Sequence, residues 1–231
     1  MNVALVLSGG TGTRLGANMP KQYLEVNNKP ILIYCLETLC GSTQIDAIQI
    51  VAAVEWQETI LSLLEKYHLA TKFKGFSLPG ENRQLSILSG LRSIREYATD
   101  ESLVLVHDAA RPNLSKELID KCFEAIEGYD GVLPILPMKD TVYLSEDGKQ
   151  ITSLLKRSQV YAGQAPELFR VGAYYKANEA LLPDKIFEIN GSTEPAILGG
   201  LNVAVIPGDE GNFKITTQAD LERFMELVKG K

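Results

Sequence analysis

Short apolar runs alternate along the chain with stretches in which apolar residues recur every three or four positions. The runs are rich in Val, Ile and Leu and contain few polar residues, which is typical of strands buried on both faces of a mostly parallel sheet. They predict strands at Val3–Leu7, Ala47–Val54, Leu103–His107, Gly131–Leu136 and Val203–Pro207.

The stretches between the runs predict amphipathic helices. Two apolar helix faces are formed by Ile60, Leu63, Leu64 and Tyr67 and by Ile119, Cys122, Phe123 and Ile126. A closing helix is predicted over Gln218–Lys229, with Leu221, Phe224, Met225 and Val228 directed inward. This alternation of strands and helices predicts an α/β fold with helices on both faces of the sheet.

One segment interrupts the alternation. Between Asp140 and Arg157, two short β-like runs flank an Asp147-Gly148 turn, which predicts a β-hairpin. A two-stranded hairpin is only marginally stable alone, so we expect it to pack against another surface, with a second subunit as a candidate. The 231 residues show no internal repeat or long linker, and they predict one domain, residues 1–231, with 138–160 as an inserted arm.

Composition and the order of apolar and charged residues predict where in the cell the protein is found. No stretch approaches the roughly 20 apolar residues needed to span a bilayer, so we expect no membrane association. The first apolar run follows no positive charge, and it indicates a strand rather than a secretory signal. Cys35, Cys40 and Cys122 are odd in number and lack metal-ligand spacing, which favours buried free thiols in the cytoplasm.

The net charge of −6 at pH 7 argues against general nucleic-acid binding, which needs a basic face. An acidic protein that binds a polyphosphate needs a local cluster of Lys, Arg and backbone N–H groups. Such a site also commonly takes a divalent cation, for which Mg²⁺ is the expected cofactor.

A glycine-rich stretch follows the first predicted strand directly. It contains Ser8, Gly9, Gly10, Thr11 and Gly12, and successive N–H groups at the carboxyl end of a strand form an anion cradle. The P-loop is excluded because no Lys followed by Ser or Thr ends the stretch. The dinucleotide fingerprint fits poorly because Leu15 stands where its third glycine is required.

Two cations accompany this stretch. Arg14 lies within it and Lys21 follows shortly after, so a fixed guanidinium and a mobile ammonium are both available to phosphate oxygens. The combination predicts triphosphate binding, and the alternative is a tight turn with two solvated charges.

A carboxylate ends the third predicted strand. Asp108 is at the position where α/β folds bind ligands, so it is a candidate ligand of Mg²⁺ or of a substrate hydroxyl. Arg111 is expected to orient this carboxylate or to bind an anion, and a simple Asp108–Arg111 ion pair closing a loop is the alternative. Strand alternation directs His107 to the opposite face, which favours a structural role for it.

These motifs together resemble a known family. The glycine-rich stretch followed by Pro-Lys-Gln-Tyr-Leu, and later His-Asp-Ala-Ala-Arg-Pro, resembles 2-C-methyl-D-erythritol 4-phosphate cytidylyltransferase and its relative ribitol-5-phosphate cytidylyltransferase. The resemblance extends from Leu7 to Leu221. It implies a Rossmann-like α/β domain, a homodimer formed through the arm, and transfer of a cytidylyl group from CTP to a polyol phosphate with release of pyrophosphate.

The resemblance also implies roles for single residues. In the nucleotide site, Gly80 and Glu81 correspond to backbone that reads the cytosine edge, and Arg83 and Ser86 to side chains that contact the nucleotide. Lys214 corresponds to a phosphate-contacting lysine, so that Arg14, Lys21 and Lys214 form the expected catalytic set.

On the acceptor side, the resemblance implies that Thr141 and Arg157 of the arm bind the polyol phosphate, with Arg157 acting on the partner subunit's site. Asp108, Arg111, Thr193 and Glu194 are the other expected acceptor residues. Two stretches depart from the family pattern. The chain has Gln164-Ala165-Pro166-Glu167 where Gln-Thr-Pro-Gln is usual, and Ser192-Thr193-Glu194-Pro195 where Thr-Asp and a small or acidic residue are usual.

Different motifs favour different acceptor substrates. His-Asp-Ala-Ala-Arg-Pro and Lys-Gln-Tyr-Leu favour methylerythritol phosphate, an isoprenoid precursor, which is the main expectation. Gly-Gly-Thr-Gly-Thr-Arg and Tyr161–Gln164 favour ribitol phosphate or another alditol phosphate, for cell-surface polymers. Two other classes remain: a sugar-1-phosphate uridylyl- or guanylyltransferase, which fits His107–Pro112 and Gly211–Thr216 poorly, and a non-catalytic nucleotide-binding protein.

Overall fold

The structure, a computed structural model, describes residues 1–10 and 19–229. Its strands are β1 (Asn2–Leu7), β2 (Glu25–Val26), β3 (Lys29–Pro30), β4 (Ala47–Val51), β5 (Phe73–Ser77), β6 (Leu103–Asp108), β7 (Gly131–Pro137), β8 (Tyr143–Leu144), β9 (Ser153–Leu154), β10 (Tyr161–Gly163), β11 (Glu167–Arg170) and β12 (Val203–Pro207). Its helices are α1 (Ile31–Cys40), α2 (Val54–Lys66), α3 (Arg83–Ile94), α4 (Lys116–Glu124), α5 (Val171–Glu179), α6 (Glu194–Leu198) and α7 (Gln218–Lys229).

Eight strands form one sheet in the order β5–β4–β1–β6–β11–β7, with β10 and β12 both paired to β7. Only β10 and β11 run antiparallel to their neighbours; the other described pairs in this sheet are parallel. The chain adds β4 on one side of β1 and later β6 on the other. The strand order therefore reverses beside β1, and open α/β sheets bind ligands in the crevice at such a point.

Two apolar layers hold the helices on the sheet. Residues of β1 alternate between them: Ala4 and Val6 pack with α1, α2 and α4, whereas Val3 and Leu5 pack with α3, α5 and α6. Because consecutive side chains of a strand point to opposite faces, an uninterrupted apolar run is buried on both sides. The expected mostly parallel sheet with helices on both faces is confirmed.

The strand predicted over Ala47–Val54 is too long. It ends at Val51, and Val54 begins α2 with 66% of its surface exposed.

Two further details of the sequence prediction are wrong. The strand Val203–Pro207 was expected to be buried on both faces, but Val205 is 61% exposed because β12 pairs only with β7 at the edge of the sheet. In the closing helix, Met225 is 36% exposed while Phe224 is buried, because α7 presents a narrow apolar face to the small cluster around Ile31.

The predicted hairpin is present as β8 and β9. Tyr143 pairs with Leu154 in the antiparallel ladder, and Gly148 in the turn has a φ of +69°, the left-handed conformation that glycine adopts without strain. Apolar side chains on and beside the hairpin face solvent, among them Tyr143, Leu144, Ile151 and Leu154. The role of this arm in a dimer stays a prediction.

The three cysteines are unpaired thiols, and two of them are buried. This agrees with the expectation from their spacing, while the cytoplasmic location itself stays a prediction. Among the described residues, no helix is both long and apolar enough to cross a membrane.

Candidate active site

The glycine-rich turn begins where β1 ends, at the crevice of the sheet. The N–H of Ser8 still donates to the carbonyl of Val51 on β4, and Gly9 then packs on Pro79. A Cβ atom on Gly9 would lie 2.5 Å from the Cβ of Pro79, so the close approach of these two loops requires glycine. The predicted residues Thr11, Gly12 and Arg14 lie outside the described residues.

Hydrogen bonds from Gln22 hold this turn, and the sequence motifs did not indicate this role. Gln22, in a one-turn 3-10 helix, donates from Nε2 to the carbonyl oxygens of Ser8 at 2.8 Å and of Gly10 at 2.9 Å. Next to it, the Tyr23 hydroxyl lies 3.1 Å from Ser8 Oγ, and the Tyr23 ring stacks on Trp56. Ser8 is thus buried and held on two sides.

Asp108 ends β6 on the other side of the crevice and is surrounded by cations. Its Oδ1 is 3.1 Å from Nη2 of Arg83, and its Oδ2 is 3.1 Å from Nζ of Lys214 and 3.4 Å from Nε of Arg111. These partners come from the start of α3, the turn after β6 and the loop before α7. The expected Asp108–Arg111 pair is therefore present, but it is one of three.

The three neighbouring cations determine the ionisation state of Asp108. Burial raises the pKa of the carboxyl group, but Arg83, Lys214 and Arg111 lower it more, and the pKa is held well below its usual range. Asp108 is therefore an anion at neutral pH, facing three cations. The cluster as a whole carries excess positive charge, which is the local basic site that an acidic chain needs to bind a polyphosphate.

A cavity of about 630 Å³ joins these elements. The predicted residues that line it are Gly9, Gly10, Lys21, Gly80, Glu81, Arg83, Ser86, Asp108 and Lys214. The two lysines thus face one space beside the glycine-rich turn, although they are far apart in the sequence. A cavity of this size is within the range of small-molecule sites.

The turn from 79 to 82 forms another wall of the cavity. Asn82 caps α3 by accepting from the N–H of Leu85, and Ser86 Oγ accepts from the N–H of Gly80 while donating to the carbonyl of Asn82. A Cβ on Gly80 would lie 2.3 Å from the Cβ of Leu85, so glycine is required here too. The Ser86 hydroxyl therefore shapes the turn on which Gly80 and Glu81 lie.

The loop that carries Lys214 is tied to α7 by a capping box. Asp220 Oδ2 accepts from the N–H and hydroxyl groups of Thr216 and Thr217, and Thr217 Oγ1 accepts from the N–H of Asp220. Thr217 therefore caps the start of α7. Partial burial raises the pKa of Asp220, but the hydrogen bonds from the two threonines lower it to about 2.

The two departures from the family pattern lie in contact with each other. Glu167, at the start of β11, accepts from Ser192 Oγ at 2.5 Å and from Thr193 Oγ1 at 2.9 Å. Burial raises the pKa of Glu167, and the charge of Arg83 and the two hydroxyl donors only partly counteract it. Thr193 thus donates to Glu167, and Glu194 accepts from the N–H of Asn190.

Some predicted acceptor residues lie apart from the cavity that the described residues form. Thr141 and Arg157 are exposed on the arm, where Arg157 Nη1 donates to the carbonyl of Lys139. Thr193 and Glu194 do not line the cavity either. The roles predicted for these four residues remain predictions.

His107 faces away from the cluster, as strand alternation predicts. It is fully buried, its Nε2 donates to the carbonyl of Arg111 at 3.0 Å, and burial lowers its pKa to about 4. The neutral imidazole therefore supports the turn from 107 to 111.

From the sequence we expected Asp108 to be a ligand of Mg²⁺. The surroundings of Asp108 in the described part of the chain do not fit a metal ion. Both oxygens of this carboxylate already face cations, so a divalent cation would have to displace an ion pair. Within the described part of the chain, no group of three or more His, Cys, Asp or Glu residues could hold a metal ion. Mg²⁺ that arrives on nucleotide phosphates needs few protein ligands, and this form of the cofactor stays a prediction.

Sequence reasoning missed two polar residues of this site, Gln22 and Asn82, both of which line the cavity. Asn82 carried a usable signal, because Asn directly before a helical stretch is a preferred cap. Gln22 carried none, since its contacts become visible only when distant segments are brought together.

Comparisons with known proteins agree with the architecture and the motifs. The sequence model of the family IspD, 2-C-methyl-D-erythritol 4-phosphate cytidylyltransferase, matches residues 2–228. A ribitol-5-phosphate cytidylyltransferase of Vibrio parahaemolyticus serotype O3:K6 is 33% identical over 230 residues, covering 99% of this chain and 96% of the relative. A 2-C-methyl-D-erythritol 4-phosphate cytidylyltransferase of Nitrosomonas eutropha is 31% identical over 229 residues, covering 98% and 95%.

Among solved structures, the 4-diphosphocytidyl-2C-methyl-D-erythritol synthase of Anaerococcus prevotii superposes with a TM-score of 0.83. It is 27% identical, and the alignment covers 100% of this chain and 96% of that one. The likeness confirms the expected Rossmann-like nucleotidyltransferase fold.

Proposed function

The chain belongs to the 2-C-methyl-D-erythritol 4-phosphate cytidylyltransferase family, whose members are CTP-dependent nucleotidyltransferases, and we propose that the cavity beside the glycine-rich turn is where it transfers the cytidylyl group. The observation that carries the proposal is the convergence of Lys21, Lys214 and Arg83 on one cavity with Gly9 and Gly10. These groups supply the cations and the backbone that a triphosphate requires.

In the proposed reaction, an oxygen of the acceptor phosphate attacks the α-phosphorus of CTP. A new P–O bond forms, the bond from the α-phosphorus to the bridging oxygen breaks, and pyrophosphate leaves with the electron pair. The second pKa of a phosphate monoester is about 6, so the attacking oxygen is already an anion near neutral pH. The protein therefore needs no nucleophile and no general base of its own.

The obstacle is electrostatic, because two polyanions must meet while charge grows on the α-phosphoryl oxygens and the leaving group. The described cations address this. Lys214 and Arg83 are fixed by Asp108, so they face the cavity without having to reorganise during the reaction. Lys21 lines the same cavity, and its ammonium is a compact charge on a flexible stem, which suits a group that follows the phosphate as it moves.

We propose that the turn at 80–81 selects the cytosine base. The N–H of Gly80 already donates to Ser86, so the groups proposed to read cytosine are the Gly80 carbonyl and the backbone of Glu81. Cytosine offers an amino donor and carbonyl and ring-nitrogen acceptors, which backbone groups can match. Glu81 itself is exposed at the cavity edge.

For the acceptor, we propose 2-C-methyl-D-erythritol 4-phosphate, in keeping with the family and with the His107–Pro112 motif. Ribitol 5-phosphate is the second candidate, and the relative with that name in Vibrio parahaemolyticus supports it. The contact of Glu167 with Ser192 and Thr193 joins the two stretches in which this chain departs from the usual pattern.

We further propose that the chain acts as a homodimer in which the arm at 138–160 reaches the partner's site. The exposed apolar side chains of the arm support this, since Ile151 and Leu154 are 67% and 63% exposed. Exposed apolar clusters of this kind mark surfaces that bury themselves on another protein. Arg157 is then available to bind the acceptor phosphate in trans.

Pyrophosphate release tests the proposal directly. CTP, UTP, GTP and ATP are each incubated with methylerythritol phosphate, ribitol phosphate, other alditol phosphates and a sugar 1-phosphate, with and without Mg²⁺. We expect release only with CTP and a polyol phosphate, and the ratio of kcat/KM values identifies the acceptor. Turnover of UTP or GTP with the sugar phosphate, or thermal stabilisation by CTP with no turnover on any acceptor, would contradict the proposal.

A further inference from the structure

Gln22 is buried at 3% exposure and connects two segments that the sequence does not show to be neighbours. Its Nε2 donates to the carbonyl oxygens of Ser8 and Gly10, which lie 14 and 12 residues earlier in the chain. The residue lines the proposed nucleotide cavity, between Lys21 and the buried Tyr23.

The chemistry of the carboxamide limits what Gln22 can do there. Its NH₂ group has two hydrogens, and the two carbonyl oxygens at 2.8 and 2.9 Å take both of them. Gln22 therefore has no donor left for a phosphate oxygen, and its side-chain carbonyl would repel one. Its contribution to an anion site must pass through the turn that it holds.

The effect on the turn follows from peptide geometry. In a trans peptide unit, the N–H points opposite to the C=O. Because the Ser8 carbonyl points at Gln22, the N–H of Gly9 in the same unit points away from Gln22. Glycine has the widest choice of backbone conformations, so a turn that begins with Gly9 and Gly10 needs an outside constraint to keep its N–H groups in one direction.

We propose that Gln22 is a positioning residue that holds the start of the glycine-rich turn in the conformation that binds the nucleotide triphosphate. The inference rests on the proposed function of the cavity. Tyr23 supplies a second point of attachment on Ser8, and its ring is fixed by stacking on Trp56 at 4.2 Å between centroids.

Two variants test this role. Gln22→Glu keeps the shape but replaces the donor with an oxygen that repels both carbonyls, and Gln22→Met removes the donors without adding charge. We expect each to raise the KM for CTP, and its Kd measured by calorimetry, roughly 10- to 100-fold, as expected when two hydrogen bonds that order a binding loop are lost. The KM for the acceptor should change by less than about twofold, because none of the residues proposed to bind the acceptor lies in the turn.

Gln49→Glu is the matched control. Gln49 is equally buried, and its Nε2 donates to Ser77 Oγ on the neighbouring strand, outside the cavity lining. This variant should lower the melting temperature at least as much as Gln22→Glu does while leaving the KM for CTP within about twofold of the parent value.

An unchanged KM for CTP in folded Gln22→Met would overturn the inference, and so would an equal rise in the KM of both substrates, which indicates general loosening. Both outcomes count only if the parent protein turns over CTP. Absence of CTP turnover in the parent would instead count against the proposed function, so the two failures are distinguishable.

Discussion

The ammonium nitrogen of Lys214 lies 3.1 Å from Oδ2 of Asp108, the carboxylate that ends β6. Arg83 binds the opposite oxygen of the same carboxylate. Asp108 therefore acts as an anchor that brings cations from two distant segments to one wall of the cavity. The ion pairs orient the cations, and the excess of positive charge remains for a ligand.

The first prediction concerns the two lysines of the cavity. Lys21→Ala and Lys214→Ala should each lower kcat on the order of 10²–10³-fold, the usual cost of removing one group that stabilises charge in the transition state. The fold should survive, because both side chains are only partly buried. Steady-state kinetics and thermal unfolding measure the two effects separately.

Lys74→Ala is the control for that experiment, since Lys74 is exposed on β5 and does not line the cavity. Its turnover should equal that of the parent protein. Turnover near the parent level in Lys21→Ala or Lys214→Ala would remove that lysine from the proposed catalytic set.

The second prediction concerns Asp220, which ties the loop of Lys214 to α7. Asp220→Asn should lower the free energy of unfolding by about 1 kcal/mol at neutral pH, the usual contribution of a helix cap. The pKa of Asp220 is lowered to about 2 from 3.8, so the folded state favours the ionised form. Its contribution is therefore complete above pH 3.8 and is lost as the pH falls towards 2.

Urea unfolding of both proteins across this pH range measures the difference. The gap between parent and Asp220→Asn should be constant from neutral pH down to about pH 4 and should close below that. A gap that is already absent at pH 7 would mean that the four hydrogen bonds to Asp220 do not stabilise the fold.

The sequence predicts the centre of this molecule better than its edges. The runs that become β1 and β6 are uninterrupted and apolar because both of their faces are buried, and Asp108 was identified from its place at the end of such a run. In contrast, β5 contains a lysine and a glycine and lies at the edge of the sheet, where one side needs no apolar cover. Such a strand contains no apolar run from which it could be predicted.

Another strand that sequence patterns missed, β11, begins with a buried carboxylate. A charged residue argues against a buried strand unless partners bind it by hydrogen bonds or opposite charge. For Glu167 those partners are the hydroxyls of Ser192 and Thr193, more than 20 residues later in the chain. Contacts of this kind depend on the finished fold, and the same holds for the two bonds of Gln22.

The third prediction concerns this buried carboxylate. Glu167→Gln replaces it with the neutral residue that is usual in the family. The pKa of Glu167 is raised by burial, so the folded state favours the protonated form, and the folded protein loses stability as the pH rises from 4.5 through the raised value. The variant lacks this charge, and we expect its stability relative to the parent to improve as the pH rises, on the order of 1 kcal/mol in total.

Chemical unfolding at pH 4.5 and pH 8 checks this prediction. Ser192→Ala is a useful companion, because it removes a donor to the carboxylate and should destabilise the protein more at pH 8 than at pH 4.5, since an ionised carboxylate depends most on its donors. The same loss at both pH values for Ser192→Ala, together with an unchanged gap for Glu167→Gln, would show that Glu167 does not change its ionisation in this range.

The last prediction concerns the arm and the proposed homodimer. If Arg157 acts on the partner's site, Arg157→Ala and Lys214→Ala should each be nearly inactive alone, but a mixture that has exchanged subunits should regain activity. In a mixed dimer, the site that contains the intact Lys214 also receives the intact Arg157, while the other site lacks both. Equal mixing gives about half mixed dimers, so about a quarter of the parent activity should return.

A second pair of variants separates this result from simple addition of two weak enzymes. Mixing Lys21→Ala with Lys214→Ala should restore nothing, because both lysines line the cavity of their own chain and every mixed site lacks one of them. Sedimentation equilibrium on Leu154→Asp should show a monomer, since the charge would be placed on the exposed apolar face of β9. A monomeric parent protein, or no recovery in the Arg157→Ala mixture, would contradict the trans assignment of Arg157.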